Sequence, residues 1–139
     1  DQWQYLVNNP QVIDDSFDEI LRYSTSLQMT HRLATQDVMY EGHLIKQGTP
    51  IILSLAGANR DPDANENPET LDLQRTKVKH LAFGRGIHHC IGAHLGSAEI
   101  KAIFKYLIEN IPQLKISDQT LTWQPTITIR GLSHLMLEW

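Results

Sequence analysis

The chain has 139 residues, of which 41% are hydrophobic and 20% are charged, and its formal net charge is −4. This composition excludes a disordered or fibrous protein, and the acidic balance gives no electrostatic basis for binding nucleic acid. Because the chain has one cysteine and its longest apolar run is Pro50–Ala58, the sequence excludes an internal disulfide, a zinc site with several thiolates and a membrane span within these residues.

The first half of the sequence predicts one helix, several short strands and a long loop. Apolar residues recur at helical spacing in Ser16–Tyr23, with Ser16 or Asp14 as the N-cap. Residues 57–79 are rich in Gly, Asn, Asp and Pro, which predicts a long ordered loop. Between them, short apolar stretches broken by Gly-containing turns predict a small antiparallel meander with strands at Leu27–Ala34, Val38–Tyr40, Leu44–Ile45 and Pro50–Leu53.

The second half predicts one long helix followed by short strands. Apolar residues at helical spacing indicate a helix over Ile91–Asn110, and Pro112 ends it. The strands expected after it are Leu114–Ile116, Leu121–Trp123, Thr126–Ile129 and His134–Leu137. Because strands and helices are segregated along the chain, the predicted fold class is α+β.

The only cysteine lies just before the long helix, in the segment AFGRGIHHCIG at residues 82–92. Gly84, Gly86 and Gly92 permit backbone conformations that other residues avoid, so the loop can turn its N–H groups toward the sulfur and lie flat against a planar ligand. The positive end of the following helix also stabilises a thiolate at Cys90. A single thiolate ligand indicates heme iron rather than zinc, and the alternative is a buried, inert cysteine.

Residues Phe83–Gly92 resemble the heme-binding loop of the cytochrome P450 superfamily, F-x-x-G-x-x-x-C-x-G, and are closest to its soluble bacterial branch. Three other segments resemble family motifs in the family's order. Glu19–Arg22 matches the E-x-x-R of the K helix, Asn59–Pro62 matches a frequent family segment, and Leu71–Arg75 matches the meander arginine. The resemblance covers essentially the whole chain and implies the C-terminal part of the P450 fold: K helix, small β-sheets, meander, Cys-loop and L helix.

The resemblance implies a role for each matching residue. Cys90 is implied to be the axial ligand of the iron of heme b, and its electron donation favours O–O cleavage. Phe83 is implied to pack beside the sulfur, although an ordinary core aromatic suits the same position. The implied heme-binding positions are Arg32, His88, Phe83, Gly84, Gly86 and Gly92; the implied structural cluster is Glu19, Arg22 and Arg75; the implied substrate-facing residues are Gln28, Met29, Thr30 and Ile129.

The implied activity is monooxygenation of a small organic substrate with O₂. Electrons are implied to come from NAD(P)H through a ferredoxin or flavoprotein donor. A basic surface for an acidic donor is expected from Arg85, Lys77, Lys79, Lys101 and Lys105, and ordinary solvated charges are the alternative. Two other functions stay open: a heme-thiolate peroxygenase, and a non-catalytic orphan or split fragment that needs a partner chain.

The sequence lacks the [AG]-G-x-[DE]-T segment that the family carries on its I helix. We therefore expect residues 1–139 to be the C-terminal heme-thiolate portion of a P450, with the N-terminal portion and its I helix absent. A truncation, a split protein and a degenerate gene product remain alternatives. Alone, the chain is expected to be inactive and to associate with the missing half or as a homodimer, and we expect it in the cytoplasm.

Overall fold

A computed structural model describes residues 2–139 of the chain. Helices and small two-stranded antiparallel sheets occupy separate stretches of the chain, which confirms the α+β prediction. The helices are α1 (Gln2–Asn8), α2 (Ile13–Tyr23), α3 (Leu55–Ala58) and α4 (Ala93–Asn110), with single 3₁₀ turns at Pro10–Val12 and Gly86–His88. The strands are β1 (Met29–Leu33), β2 (Val38–Tyr40), β3 (His43–Ile45), β4 (Pro50–Ser54), β5 (Lys115–Ile116) and β6 (Leu137–Glu138). No helix among residues 2–139 is long and apolar enough to cross a bilayer.

Helix α2 buries one face completely and begins earlier than the sequence predicts. Ile13 and Phe17 are buried on that face. The predicted caps are wrong, because Val12 is the N-cap and makes no side-chain bond to the helix. Ser16 lies inside α2, where its hydroxyl donates a 2.7 Å hydrogen bond to the carbonyl of Leu73. A buried hydroxyl needs such a partner, so Ser16 joins α2 to the long loop instead of capping the helix.

The core lies where α1, α2, α4 and the long loop meet. Leu6 of α1, Ile13 of α2, Leu73 of the loop and Ile108 of α4 form its buried centre. Half-buried side chains pack around that centre, namely Trp3, Tyr5, Val12, Ile20, Leu71 and Phe104. A seven-residue helix such as α1 is marginal by itself, so packing on this core stabilises it, which explains why its local sequence gave no prediction.

The predicted meander is wrong, because the strands form two nested antiparallel pairs. β1 pairs with β4 and β2 pairs with β3. Glu41 and Gly42 join β2 to β3 with φ of 46° and 80°, the conformation of a tight two-residue hairpin turn. The alternation of apolar residues marks each strand but does not specify its partner, so the sequence cannot distinguish nested pairs from a meander.

The C-terminal segment holds less strand than the sequence predicts. β5 pairs with β6, so the predicted strand at His134–Leu137 shifts to the end of the chain. The predicted strands Leu121–Trp123 and Thr126–Ile129 reduce to single bridges, Trp123 with Leu132 and Leu27 with Ile129. The second bridge holds the C-terminal segment against the entry to β1.

Candidate functional site

The loop that carries Cys90 is closed by backbone hydrogen bonds and by glycines in the left-handed region. The N–H of Cys90 donates to the carbonyl of Phe83 at 2.8 Å. Gly84 and Gly86 have φ of 68° and 67°. A Cβ atom at Gly84 would lie 3.1 Å from the carbonyl oxygen of His88, whereas one at Gly86 would meet nothing within 4 Å. The loop therefore requires glycine at Gly84 for both conformation and space.

The side chain of Cys90 is exposed within residues 2–139, so this cysteine does not belong to the buried core of the chain. Among residues 2–139 its sulfur has no disulfide or hydrogen-bond partner. Ile87 and Ile91, within three residues of it, are almost fully exposed at 98% and 103% of their reference areas. An accessible thiol flanked by uncovered isoleucines fits the ligand atom of a flat apolar group.

Helix α4 begins three residues after Cys90, not at Ile91 as the sequence predicts. Residues 91–92 form a turn instead, in which the N–H of Ala93 donates to the carbonyl of Cys90 at 3.2 Å. Gly92 is the N-cap and has no side chain to occupy the free amides of the first turn. A Cβ atom at Gly92 would lie 3.9 Å from the sulfur of Cys90. The positive end of α4 therefore stays beside the sulfur.

Phe83 is half-buried between two histidine rings. Its ring centroid lies 6.4 Å from that of His80 in an edge-to-face arrangement and 6.5 Å from that of His89. Nδ1 of His80 accepts the N–H of Ala82 at 3.2 Å, and its Nε2 lies 3.6 Å from Asp18. The two ring nitrogens of His80 therefore face different partners, Nδ1 the loop backbone and Nε2 the carboxylate of Asp18 on α2. The histidine spacing gave no reason to select His80, since its role depends on contacts between distant segments.

Arg32 and His88 carry donors that no carboxylate occupies within the described part of the chain. Arg32 is half-buried on β1, and its guanidinium bonds only the carbonyl of His31 at 2.7 Å and the hydroxyl of Thr30 at 3.3 Å. His88 ends the 3₁₀ turn of the Cys90 loop and is exposed. Both side chains are therefore available to an anionic group.

Gln28 and the segment around Ile129 lie side by side at the entry to β1. The N–H of Gln28 donates to the carbonyl of Thr128 at 2.7 Å, next to the bridge between Leu27 and Ile129. The carboxamide of Gln28 turns back to the carbonyl of Thr25. The structure thus brings together the two segments that the resemblance implies to face the substrate, with Ile129 half exposed at 54%.

Glu19 and Arg22 form a fully buried ion pair on α2. Both side chains are 0% exposed, and Arg22 binds the carboxylate of Glu19 through Nε at 2.7 Å and Nη2 at 2.8 Å. The remaining donors of the guanidinium bind three loop carbonyls at 2.7–3.0 Å, so all five of its N–H groups are satisfied. Those carbonyls belong to Asn59, Pro68 and Thr70.

Arg75 and a loop amide complete the surroundings of Glu19. Nε of Arg75 lies 3.1 Å from the Glu19 carboxylate, without the alignment of a hydrogen bond, and the N–H of Asp72 donates to the same carboxylate at 3.0 Å. Burial alone would raise the pKa of Glu19. The hydrogen bonds from Arg22 and Asp72, together with the charges of both arginines, outweigh burial and lower the pKa.

Two buried asparagines hold the segment that leads into the Cys90 loop. Asn59 is 0% exposed and Asn65 is 3% exposed. The carboxamide of Asn65 bonds both the N–H and the carbonyl of Lys79, at 3.0 and 2.9 Å. The carboxamide oxygen of Asn59 accepts the N–H of Leu81 at 2.6 Å. The motif around Asn59 was visible in the sequence, but it gave no indication of what its side chain binds.

The five basic residues expected at the donor surface divide into two groups. Lys101 and Lys105 bind Asp14 at the start of α2, at 3.8 and 2.8 Å. The hydrogen bond from Lys105, with the charges of both lysines, lowers the pKa of Asp14. The other three are exposed and form no salt bridge within residues 2–139, so only these contribute uncompensated charge: Lys77, Lys79 and Arg85.

Alanine substitutions at the loop glycines separate backbone strain from crowding. Gly86→Ala adds only left-handed strain, about 1–2 kcal/mol. Gly84→Ala adds the same strain and also forces the His88 carbonyl away, so we expect a larger loss of stability. Thermal unfolding of both variants checks this, with Gly42→Ala as a control that has φ of 80° and no neighbour within 4 Å. Equal losses for Gly84→Ala and Gly86→Ala would contradict the role of the contact with His88.

Comparison with known proteins agrees with the motifs. The family model described as Cytochrome P450 matches residues 5–129. The Polyketide biosynthesis cytochrome P450 PksS of Bacillus subtilis is 38% identical over 133 residues, which are 94% of this chain and 33% of that protein. The Biotin biosynthesis cytochrome P450 of the same organism is 36% identical, again over 94% of this chain and 33% of the relative. The chain thus spans about a third of the length of these relatives.

Solved structures give the same result for the fold. The crystal structure of P450BioI in complex with an acyl carrier protein ligated to hexadec-9Z-enoic acid superposes with a TM-score of 0.94 at 35% identity. The superposition covers 98% of this chain and 35% of the chain of that structure. The structure of PksS from Bacillus subtilis gives a TM-score of 0.91 at 36% identity, with 96% of this chain and 35% of that chain covered.

Proposed function

The chain belongs to the cytochrome P450 family, and from this premise we propose that it is the heme-ligating, C-terminal portion of a P450 monooxygenase with Cys90 as the axial ligand. The observation that carries the proposal is the exposed, unpartnered sulfur of Cys90 in a glycine-containing loop beside the start of α4. The loop lies within the residues that match the family. The family's cofactor is heme.

The residues present fit this group. Cys90 offers a thiolate, and the exposed Ile87 and Ile91 offer an apolar surface for a porphyrin face. Arg32 and His88 have donors free for the propionates, with which an arginine makes charge-assisted hydrogen bonds. We assign Gly84, Gly86 and Gly92 to the close approach of the loop backbone, and Phe83 to the packing that keeps water from the sulfur.

In this proposal the chain's own residues bind and orient the heme and shield the sulfur from water. When bound, heme supplies the activation of O₂, and the overall reaction consumes the substrate C–H bond, O₂, two electrons and two protons and yields an alcohol and water. Cys90 would hold the heme iron through its thiolate, and such a ligand would supply the electron density that favours O–O cleavage. Gln28, Met29, Thr30 and Ile129 line one side of the substrate site in this proposal.

The electrons come, in this proposal, from NAD(P)H through a ferredoxin or flavoprotein. The surface for such an acidic donor consists of the exposed Arg85, Lys77 and Lys79, since Lys101 and Lys105 are already paired with Asp14.

The first substrates to test are long-chain fatty acids, free and linked to a carrier protein. The reason is that P450BioI was crystallised with a fatty acid on its acyl carrier protein.

The test uses the completed protein, meaning this chain joined to or mixed with the N-terminal portion of a P450 and loaded with heme. The reduced protein with carbon monoxide should absorb near the wavelength that gives the family its name. Turnover with a surrogate donor system should then depend on O₂ and NAD(P)H. Turnover that proceeds with hydrogen peroxide alone would favour a peroxygenase, and the lack of the carbon monoxide band would refute thiolate ligation.

The chain alone should associate and remain inactive. Helix α4 exposes Leu95, Ile103 and Tyr106 to 57–65%, in addition to the exposed isoleucines of the Cys90 loop. Such surfaces are normally covered by another chain or domain. We therefore expect light scattering to find dimers or larger species, and an Ile91→Lys variant to be less associated. A monomer that binds hemin tightly and hydroxylates a substrate would contradict this prediction.

A further inference from the structure

We propose that Asn59 is a positioning residue that fixes the Cys90 loop relative to α2 and so keeps the sulfur at the place where it binds as a thiolate. The inference rests on the proposed ligation of heme by Cys90. Asn59 lies 31 positions before the cysteine and is 0% exposed. Every polar group of this residue is used, and each is used by a different residue.

The polar groups of Asn59 connect the C-terminal end of α2 to the residues that lead into the Cys90 loop. Its Nδ2 donates to Oγ1 of Thr25, just beyond α2, at 2.7 Å. Its main-chain carbonyl accepts Nη1 of Arg22 at 2.9 Å, and its N–H donates to the carbonyl of Leu55 at 3.0 Å. Its Oδ1 remains for the N–H of Leu81 at 2.6 Å. Asn59 therefore couples α2 directly to Leu81.

The hydroxyl of Thr25 determines which way the carboxamide of Asn59 points. The single hydroxyl proton of Thr25 is shared between the carbonyls of Leu21 and Arg22, which lie 3.1 and 3.0 Å from Oγ1, so the lone pairs of Oγ1 are left to accept. A carboxamide has one accepting and one donating end. With Nδ2 fixed on Thr25, Oδ1 must face Leu81.

Two backbone bonds carry the restraint from Leu81 to the cysteine. The carbonyl of Leu81 accepts the N–H of Gly84 at 2.8 Å, which sets the first turn of the loop. The carbonyl of Phe83 accepts the N–H of Cys90 at 2.8 Å, which closes the loop. The backbone of Leu81 is thus held by Asn59 through its N–H and holds Gly84 through its carbonyl.

Asn65 is a matched comparison within the same loop. It is also buried and also holds backbone, but it bonds Lys79, two residues before Leu81, and no residue of α2. Replacing either asparagine with leucine removes a buried carboxamide from a similar environment. Only the replacement at Asn59 should release the loop that carries the sulfur.

The experiment compares Asn59→Leu with Asn65→Leu in the completed protein. We expect both variants to unfold at lower temperature. Only Asn59→Leu should shift the carbon monoxide complex from the thiolate form to the shorter-wavelength form, by about tenfold in their ratio, because it alone removes the buried hydrogen bond that holds Leu81. Hydrogen exchange of peptides spanning 81–92 should accelerate in Asn59→Leu more than in Asn65→Leu, with or without heme.

A second pair of variants covers the case in which Asn59→Leu does not fold. Thr25→Val removes the hydroxyl that orients the carboxamide, and Thr25→Ser keeps it. The valine variant should show faster exchange at 81–92 and a smaller thiolate fraction, whereas the serine variant should keep the wild-type values of both. Equal spectra and equal exchange within both pairs would overturn the role of Asn59. If the wild-type protein lacks the thiolate band, the ligation by Cys90 is refuted instead. The hydrogen-exchange comparison would still test whether Asn59 anchors the loop.

Discussion

Cys90→Ser should abolish the thiolate signature of the carbon monoxide complex while leaving the fold intact. Serine is close in size to cysteine but its hydroxyl stays neutral, so it cannot supply the anionic ligand that the proposal requires. Cys90 is exposed, so no core packing is lost. The bond that closes the loop at this position comes from the backbone N–H, which serine also has. The measurement is the absorption difference spectrum of the reduced completed protein with carbon monoxide.

Nearby histidines provide the control for this substitution. His88, His89 and His94 all lie within four residues of Cys90 and are exposed. A nitrogen ligand from one of them would give a spectrum typical of a neutral ligand. We therefore expect His94→Ala to keep the thiolate band and Cys90→Ser to lose it, with similar unfolding temperatures for the two heme-free variants. A band that survives in Cys90→Ser would mean that Cys90 is not the ligand.

The sequence was sufficient for features that depend on local residue types. Glycines at Gly84 and Gly86 predicted unusual backbone in the Cys90 loop, and both have positive φ. Apolar spacing predicted the strong part of α2, although the helix begins at Ile13. The family and its fold class followed from motifs, since a short loop around one cysteine is specific by its residue types alone.

The sequence was insufficient where a distant partner decides the structure. The pairing of β1 with β4 around an inner hairpin depends on contacts that alternation does not encode. Ser16 looks like a cap, but a carbonyl 57 residues away takes its hydroxyl. The use of Asn59 is equally hidden, because its partners Thr25 and Leu81 lie 34 and 22 residues away.

Arg22→Ala should destabilise the protein strongly, and more than substitutions at the exposed Cys90 loop. It leaves the carboxylate of Glu19 buried without its partner and frees three loop carbonyls at once. Removing one member of a buried pair costs about 3–5 kcal/mol. Arg22→Lys should rescue only a small part of this loss, because an ammonium has three donors where the guanidinium uses five. The measurement is the free energy of unfolding by denaturant.

Arg60 is the matched control for Arg22, because its ion pair is shorter but solvated. Arg60 binds Glu69 at 2.6 Å, and the two side chains are 28% and 78% exposed. Exposed pairs contribute about 0–1 kcal/mol. Arg60→Ala should therefore cost much less than Arg22→Ala, even though Arg60 also donates to the carbonyl of Tyr23. Similar losses for the two variants would show that burial of the Glu19–Arg22 pair does not determine its contribution.

The same cluster predicts how stability depends on pH. The pKa of Glu19 is lowered in the folded protein from its ordinary value of 4.5, so the folded state holds the carboxylate deprotonated while the unfolded state takes up a proton first. The stabilisation by Glu19 is therefore complete above that ordinary value and is lost as the pH falls through the lowered pKa. We expect Glu19→Gln to be less stable than wild type at neutral pH. The difference should shrink on acidification, because only the wild type loses this contribution. If unfolding free energies at several pH values show a constant difference, the ionised carboxylate of Glu19 is not what stabilises the cluster.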